Sequence, residues 1–331
     1  MNTLELSPHR ELLPSITALE LRVTSFDRCM GLLLIALISV EIVLGRVVEL
    51  GGPEHPLSLL PWREIAILCA AVAFSYWRPI PRLIDAAGLL LWGALFGCPL
   101  AFLVQLAGRS HHSLMDRQLA WIDGRMHFET ASIHLWVAQT PFLAGCSIMV
   151  YWLFIPLLYS AATIPCLYGH TSASRRFIVG VVIAMLLGAA LFVFLPAAGP
   201  WMTETMHPSR IQGIMGDYLL RLKLGLPMRA ELEHSAIVSF PSEHVVVAVL
   251  GAQALGSIKS IRTLMRIMGV LICVSTVTTG WHYGIDVLGG LVVAYVSSVL
   301  AKRVCALWER WDVRADAMEA FEMGNTHPEI V

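Results

Sequence analysis

Charged side chains are what this chain has least of. Asp, Glu, Lys and Arg make up 14% of its 331 residues, against about 25% in ordinary soluble domains. They nearly cancel, leaving a formal net charge of −1. There is no basic patch with interleaved aromatics, so nucleic acid is not an expected partner. The seven cysteines (Cys29, Cys69, Cys98, Cys146, Cys166, Cys273 and Cys305) are scattered through apolar segments and never fall in a CxxC or another ligand spacing. They read as buried thiols rather than as disulfides or a zinc site. Internal repeats and low-complexity tracts are also missing. Residues 1–28 lack the compact apolar run of a cleaved signal peptide and carry Glu5, Arg10, Glu11, Glu20, Arg22, Asp27 and Arg28. They are expected to stay as a cytoplasmic tail.

What the chain does have is apolar length. It is 56% hydrophobic, with a mean hydropathy of +0.69, the balance of an integral membrane protein. A spanning helix needs about 20 mostly apolar residues. Eight segments qualify: 30–49, 63–78, 83–107, 138–167, 177–198, 240–257, 264–281 and 284–302. The fourth is long and contains Pro141 and Pro156. Between the third and fourth, residues 113–130 place Leu114, Leu119, Ile122 and Met126 at helical spacing among Asp116, Arg117, Asp123 and Arg125. That pattern predicts an amphipathic helix on the membrane surface. Asp116 and Asp123 are expected on its polar face, with head-group recognition as the alternative.

Orientation follows from the basic residues of the short loops. Arg78 and Arg82, Arg175 and Arg176, Lys259, Arg262 and Arg266, and Lys302, Arg303 and Arg310 all fall on one side of an eight-span chain. With the N-terminus inside, both tails are cytoplasmic. The starts of the sixth and eighth spans and the loop 199–239 then lie on the outer face.

Two stretches at that face carry the chemistry: Ser239-Phe240-Pro241-Ser242-Glu243-His244 and Gly280-Trp281-His282-Tyr283-Gly284-Ile285-Asp286. Asp286 follows His282 by four positions, which makes the two side chains neighbours on a helix. A carboxylate on one ring nitrogen leaves the other free to attack. Phosphorus is a suitable target, since imidazole forms a phosphohistidine. His244, from a different helix, is placed to protonate a leaving oxygen and then to activate an acceptor. Ser242 and the first amides of the sixth span are candidate phosphate donors. No pair among His111, His112, His127, His134, His207 and His234 has metal-ligand spacing, so no metal or cofactor is expected.

Pro-Ser-Glu-His at 241–244 and Gly-Trp-His-Tyr-Gly-Ile-Asp at 280–286 resemble the second and third signatures of the type 2 phosphatidic acid phosphatase superfamily. The His-Tyr-x-x-Asp form at 282–286, with the Asp-containing stretch Leu114–Asp123, is most similar to the inositol phosphorylceramide synthase branch. The resemblance spans about 83–302. It implies a six-helix, metal-free membrane core, with His282 as nucleophile, Asp286 as its orienting partner, His244 as acid and base, and Ser242 as a phosphate ligand. Where members carry Ser-Arg before the third signature, this chain has Ser275-Thr276. Glu243 replaces the usual glycine of the second signature, and Gly199-Pro200-Trp201 stands where the first would be. Arg229 is the leading candidate for the missing phosphate-binding cation, ahead of Arg210, Arg221 and Lys223.

The expected architecture is thus an all-α polytopic bundle. Tail 1–28 precedes two extra spans in 29–82; a six-helix catalytic unit fills 83–304, and a cytoplasmic tail fills 305–331. The expected function is transfer of a phospho-head-group, phosphoinositol-like, between lipids at the outer face of a bacterial inner membrane. The alternatives are a lipid phosphate or polyprenyl pyrophosphate phosphatase, and a non-catalytic lipid-binding or transport protein.

Overall fold

The computed structural model describes residues 24–47, 62–77, 80–203, 206–226 and 238–325. Among these there are helices and no strand. In order they are α1 (Ser25–Val47), α2 (Trp62–Trp77), α3 (Pro81–Gly108), α4 (Asp116–Arg125), α5 (Thr130–Ala138), α6 (Pro141–Trp152), α7 (Phe154–Leu167), α8 (Thr171–Phe194), α9 (Arg210–Lys223), α10 (Glu243–Leu255), α11 (Arg262–Thr278) and α12 (Gly284–Asn325). The chain is an all-α polytopic membrane bundle. Six stretches are long and apolar enough to cross a membrane: α1, α3, α6 with α7, α8, α11 with its leading 3-10 turn, and α12. The second and sixth expected spans are shorter apolar helices, Ile65–Phe74 and Glu243–Leu255. Leu32, Ile148, Val274 and Val292 stay exposed within their helices, as a lipid-facing surface requires and a water-facing one avoids.

The core is arranged around α8, which packs on α3, α7, α10 and α12. Its small residues Gly180, Ala184, Gly188 and Ala189 are buried and let these neighbours come close. α1 packs on α3 and α12, and α2 on α3. The N-terminal end of α1 is tied across the bundle. Ser25 N–H donates to Asp312 at 2.7 Å, Trp92 donates to Asp27 at 3.0 Å, and Phe26 meets the Trp308 ring edge-on. Trp308 and Asp312 lie on the part of α12 that continues beyond the membrane-length segment 284–302.

Pro156 lacks the N–H that would bond the Trp152 carbonyl, and its ring clashes there. The long fourth segment accordingly breaks at Leu153 into α6 and α7. The break turns Tyr151 and Phe154 together towards α10, which decides the surroundings of His244. At the other end of the bundle, Arg82 donates to the Leu167 carbonyl at 3.2 Å, and Arg176 and Lys302 line one small cavity. These basic residues therefore share one end of the bundle. Arg78 lies outside the described residues.

Candidate active site

The turn before α10 and the turn before α12 are stitched to each other. Ser242 N–H donates to the Asp286 carbonyl at 3.1 Å, while Ser239 N–H ties the same turn to the chain after α8 through the Ala197 carbonyl at 3.4 Å. The close approach depends on two glycines of α12. A Cβ on Gly289 would lie 2.8 Å from the Phe240 ring, and one on Gly290 would lie 2.7 Å from the Ser242 carbonyl oxygen. After α11 the chain reverses through Gly280 at φ +75°. The Thr276 carbonyl accepts from both Trp281 N–H (3.2 Å) and His282 N–H (3.1 Å). His282 thus precedes α12 rather than lying on it, and is folded back against the 239–242 turn.

His282 is 3% exposed. Its nearest polar partner is the Ser239 carbonyl oxygen, 3.0 Å from Nδ1, with the Asp286 carboxylate 3.5 Å from the same atom. A carbonyl only accepts, so in the neutral imidazole this contact selects the tautomer with the proton on Nδ1 and the lone pair on Nε2. Asp286 is fully buried. Its Oδ2 accepts from Ser239 Oγ at 2.7 Å and Tyr283 N–H at 2.9 Å. The two side chains meet through this N-terminal turn, not through a continuous helix. Ser239 is the residue that the sequence reading did not single out: its carbonyl holds the imidazole and its hydroxyl holds the carboxylate.

His244, in the first turn of α10, has its ring centroid 5.5 Å from that of His282. Tyr151 stacks on it at 4.4 Å and Phe154 meets it edge-on at 4.2 Å. Trp281 lies beyond Tyr151 at 6.1 Å and Trp201 packs on Trp281 at 5.0 Å. The paired histidines are walled by aromatic rings. Behind Tyr151 and Trp281 lies a cavity of about 480 Å³, whose polar lining includes His134, His207, Arg210 and Thr279. The first turn of α9 borders it, fixed by reciprocal Ser209–Gln212 capping bonds and by Gln212 donating to the Gly280 carbonyl at 3.2 Å.

The remaining sequence candidates divide. Ser242 is buried and caps α10, its Oγ 3.5 Å from Val245 N–H. Glu243 points at α8, where a Cβ on Gly188 would collide with its carboxylate. Thr276 is buried, with Oγ1 donating to the Cys273 carbonyl at 2.7 Å. Arg229 lies outside the described residues. Arg221 pairs with Asp217 at 2.9 Å, and Lys223 donates to the carbonyls of Ser110 and His112 at 3.2 and 2.8 Å. Burial pushes the Lys223 ammonium below its ordinary pKa. Of the described cations named from sequence, Arg210 is the one that borders the cavity beside Tyr151 and Trp281. Among the described residues no group of three His, Cys, Asp or Glu side chains converges as a metal site would need.

The surface helix corrects an expectation. α4 turns its carboxylates inward and its Trp121 outward: Asp116 and Asp123 are 5% and 2% exposed, Trp121 62%. Asp123 accepts from Thr130 Oγ1 (2.8 Å), Gly284 N–H (2.7 Å) and Ile285 N–H (2.8 Å). It fills the N-terminal end of α12, where unpaired amides and the helix dipole favour an anion. Asp116 accepts from Gly199 N–H at 2.8 Å, Ala198 N–H at 3.2 Å and the Tyr283 hydroxyl at 3.3 Å. Burial pushes the Asp116 carboxyl above the usual carboxylate range, against the pull of those donors. Burial and the nearby Asp116 and Asp286 carboxylates push the Tyr283 phenol upward, so it remains a donor. One signal was legible: Asp116, Leu119 and Asp123 fall at i, i+3 and i+7 on one helix face, and Leu119 is the apolar member that buries.

Fold and site together define a multi-pass membrane bundle with a recessed histidine pair and a buried carboxylate joining two helix starts. The profile of the PAP2 superfamily matches residues 117–300, more than half of the chain, and the protein belongs to that superfamily. The match runs from α4 into α12 and leaves α1 to α3 outside it. Membership supports a lipid-phosphate function of the phosphatase or phosphotransferase kind. No curated protein and no solved structure matches the chain.

Proposed function

We propose that the protein transfers a phospho-head-group, of the phosphoinositol kind, from one lipid to the hydroxyl of another through a phosphohistidine on His282. The observation that carries this is the Nδ1 contact with the Ser239 carbonyl, backed by Asp286, which leaves Nε2 as the nucleophilic nitrogen. Nε2 donates its lone pair to phosphorus, and the P–O bond to the departing lipid alkoxide breaks. His244 supplies the proton to that oxygen. It then takes the proton of the acceptor hydroxyl, whose oxygen attacks phosphorus as the P–N bond breaks. Ser242, the first α10 amides, and either Arg229 or Arg210 are the phosphate ligands in this reading.

The aromatic wall of Tyr151, Phe154, Trp201 and Trp281 favours an alcohol over bulk water as acceptor, because closure by apolar rings keeps solvent from the intermediate. Depth supports a lipid substrate. From His244 to Leu255 the helix rises about 17 Å at 1.5 Å per residue, against a hydrocarbon layer of about 30 Å. In this reading the pair is recessed into the bilayer from the face opposite the basic end, and the loop charges support that face as the outer one.

The experiment supplies radiolabelled phospholipid to purified full-length protein, with and without a lipid alcohol, and follows both acid-labile protein labelling and products. The expected result is label on wild type, none on His282→Ala, and a new phospholipid that depends on the added alcohol. Release of water-soluble phosphate irrespective of alcohol would convert the assignment to a hydrolase. Undiminished turnover by His282→Ala would refute the nucleophile, and a folded protein that neither labels nor turns over would favour a lipid carrier.

A further inference from the structure

A second site lies at the end of the bundle remote from the histidines. Arg176 Nε and Ser257 Oγ are enclosed there without a hydrogen-bond partner among the described residues. An enclosed donor without a partner is costly, more so when charged. Both residues line a cavity of about 170 Å³ together with Gln253, Ser298 and Lys302. Gln253 and Lys302 also line a groove of about 940 Å³ between α10, α11 and α12. Its walls are apolar side chains such as Val249, Val270, Val274 and Leu291, and it ends at Arg262 and Arg266. Among the described residues no acidic side chain lines either space.

The groove runs with α12 from Gly284 to Lys302, about 27 Å at 1.5 Å per residue, nearly the thickness of both leaflets of the hydrocarbon layer, so one inner-leaflet acyl chain fills its half nearest Lys302. Val270 and Val274 are more than half exposed, so its side opens to lipid. An apolar furrow open to the bilayer, joined to a small cation-lined cavity with unpaired donors, matches an anionic amphiphile in both halves. The basic end is the one that faces the anionic inner leaflet.

We propose that one anionic glycerophospholipid of the inner leaflet binds here. Its phosphate lies between Arg176, Ser257 and Lys302, and an acyl chain lies along the groove between α11 and α12. The phosphate end of this site is distinct from the histidine pair, and its occupant is a structural lipid rather than a substrate.

The test is retention and melting of delipidated full-length protein with added phosphatidylglycerol, phosphatidylcholine or inorganic phosphate, read by native mass spectrometry and thermal unfolding. One phosphatidylglycerol per chain is expected, with a higher melting temperature than phosphatidylcholine gives. Arg176→Gln removes a charged hydrogen bond to the phosphate, so the affinity falls at least tenfold. Val274→Trp obstructs the groove while leaving the cations in place, and it should weaken retention similarly. If Arg176→Gln does not fold, the exposed Lys302→Gln carries the same test with a smaller expected loss. Equal binding of phosphatidylcholine, full stabilisation by inorganic phosphate, or a dimer seated on the groove in place of lipid would each overturn the proposal. So would unchanged phosphatidylglycerol affinity in the variants.

Discussion

Asp123→Ala is the sharpest test of how this fold holds its candidate site. The carboxylate accepts the first two amides of α12 and the Thr130 hydroxyl, and it is 2% exposed. Alanine strands Gly284 and Ile285 N–H at a cost of about 1–3 kcal/mol each. Losing an anion at a helix N-terminus adds about 0.3–1 kcal/mol. Taken together the loss is about 3–5 kcal/mol after local relaxation. At roughly 2 °C per kcal/mol, the low end for large domains, the melting temperature should fall by about 6–10 °C. Asp123→Asn keeps an acceptor and loses the charge, so a fall of about 2–4 °C is expected. The readouts are thermal unfolding of the detergent-solubilised protein and turnover, because the stranded amides lie between His282 and Asp286. A melting temperature within about 2 °C of wild type for Asp123→Ala would refute the claim that this contact supports α12.

Two further predictions follow from contacts around the same turn. The Asp116 carboxyl is raised by burial, so the folded state holds its proton more tightly than the unfolded chain does. Its contribution is therefore fully present in acid and is lost as pH rises through the folded pKa. The melting margin of wild type over Asp116→Asn should shrink as pH is raised from about 4 towards 7; a margin that widens would contradict the assignment. Gly290→Ala places a Cβ 2.7 Å from the Ser242 carbonyl oxygen and 2.9 Å from the Val245 Cβ. The expected cost is about 1–3 kcal/mol, with a larger proportional fall in turnover, since the turn carrying His244 is pushed from His282. Gly97→Ala, where a Cβ meets nothing within 4 Å, is the matched control and should be neutral or slightly stabilising.

The apolar runs were readable because lipid imposes a simple demand: long apolar stretches with internally satisfied backbones. The same demand made His244, His282 and Asp286 conspicuous, since polar side chains at the ends of such runs are few. Helix length was less legible. Residues 240–257 read as a full span, yet α10 begins at Glu243 and ends at Leu255, because the 239–242 turn is used to join α12. The break at Leu153 was present in the chain as Pro156, but which aromatic rings it would deliver to His244 was not.

α4 shows the limit most clearly. Amphipathic spacing in 113–130 located a helix, and Asp116 and Asp123 looked like its wet face. A one-dimensional pattern cannot say that the polar partner of a carboxylate is a helix terminus and not water. Gly284 and Ile285 are more than 160 residues away from Asp123 in sequence, and only the folded chain brings their unpaired amides to it. Sequence alone determined the membrane class, the helical content and the candidate histidines, because these depend on local composition and short spacing. Tertiary structure alone decided which nitrogen of His282 is free, that Ser239 holds both ring and carboxylate, and that two aspartates face inward. Those facts depend on which distant backbone groups were left without partners, and burial makes each of them find one.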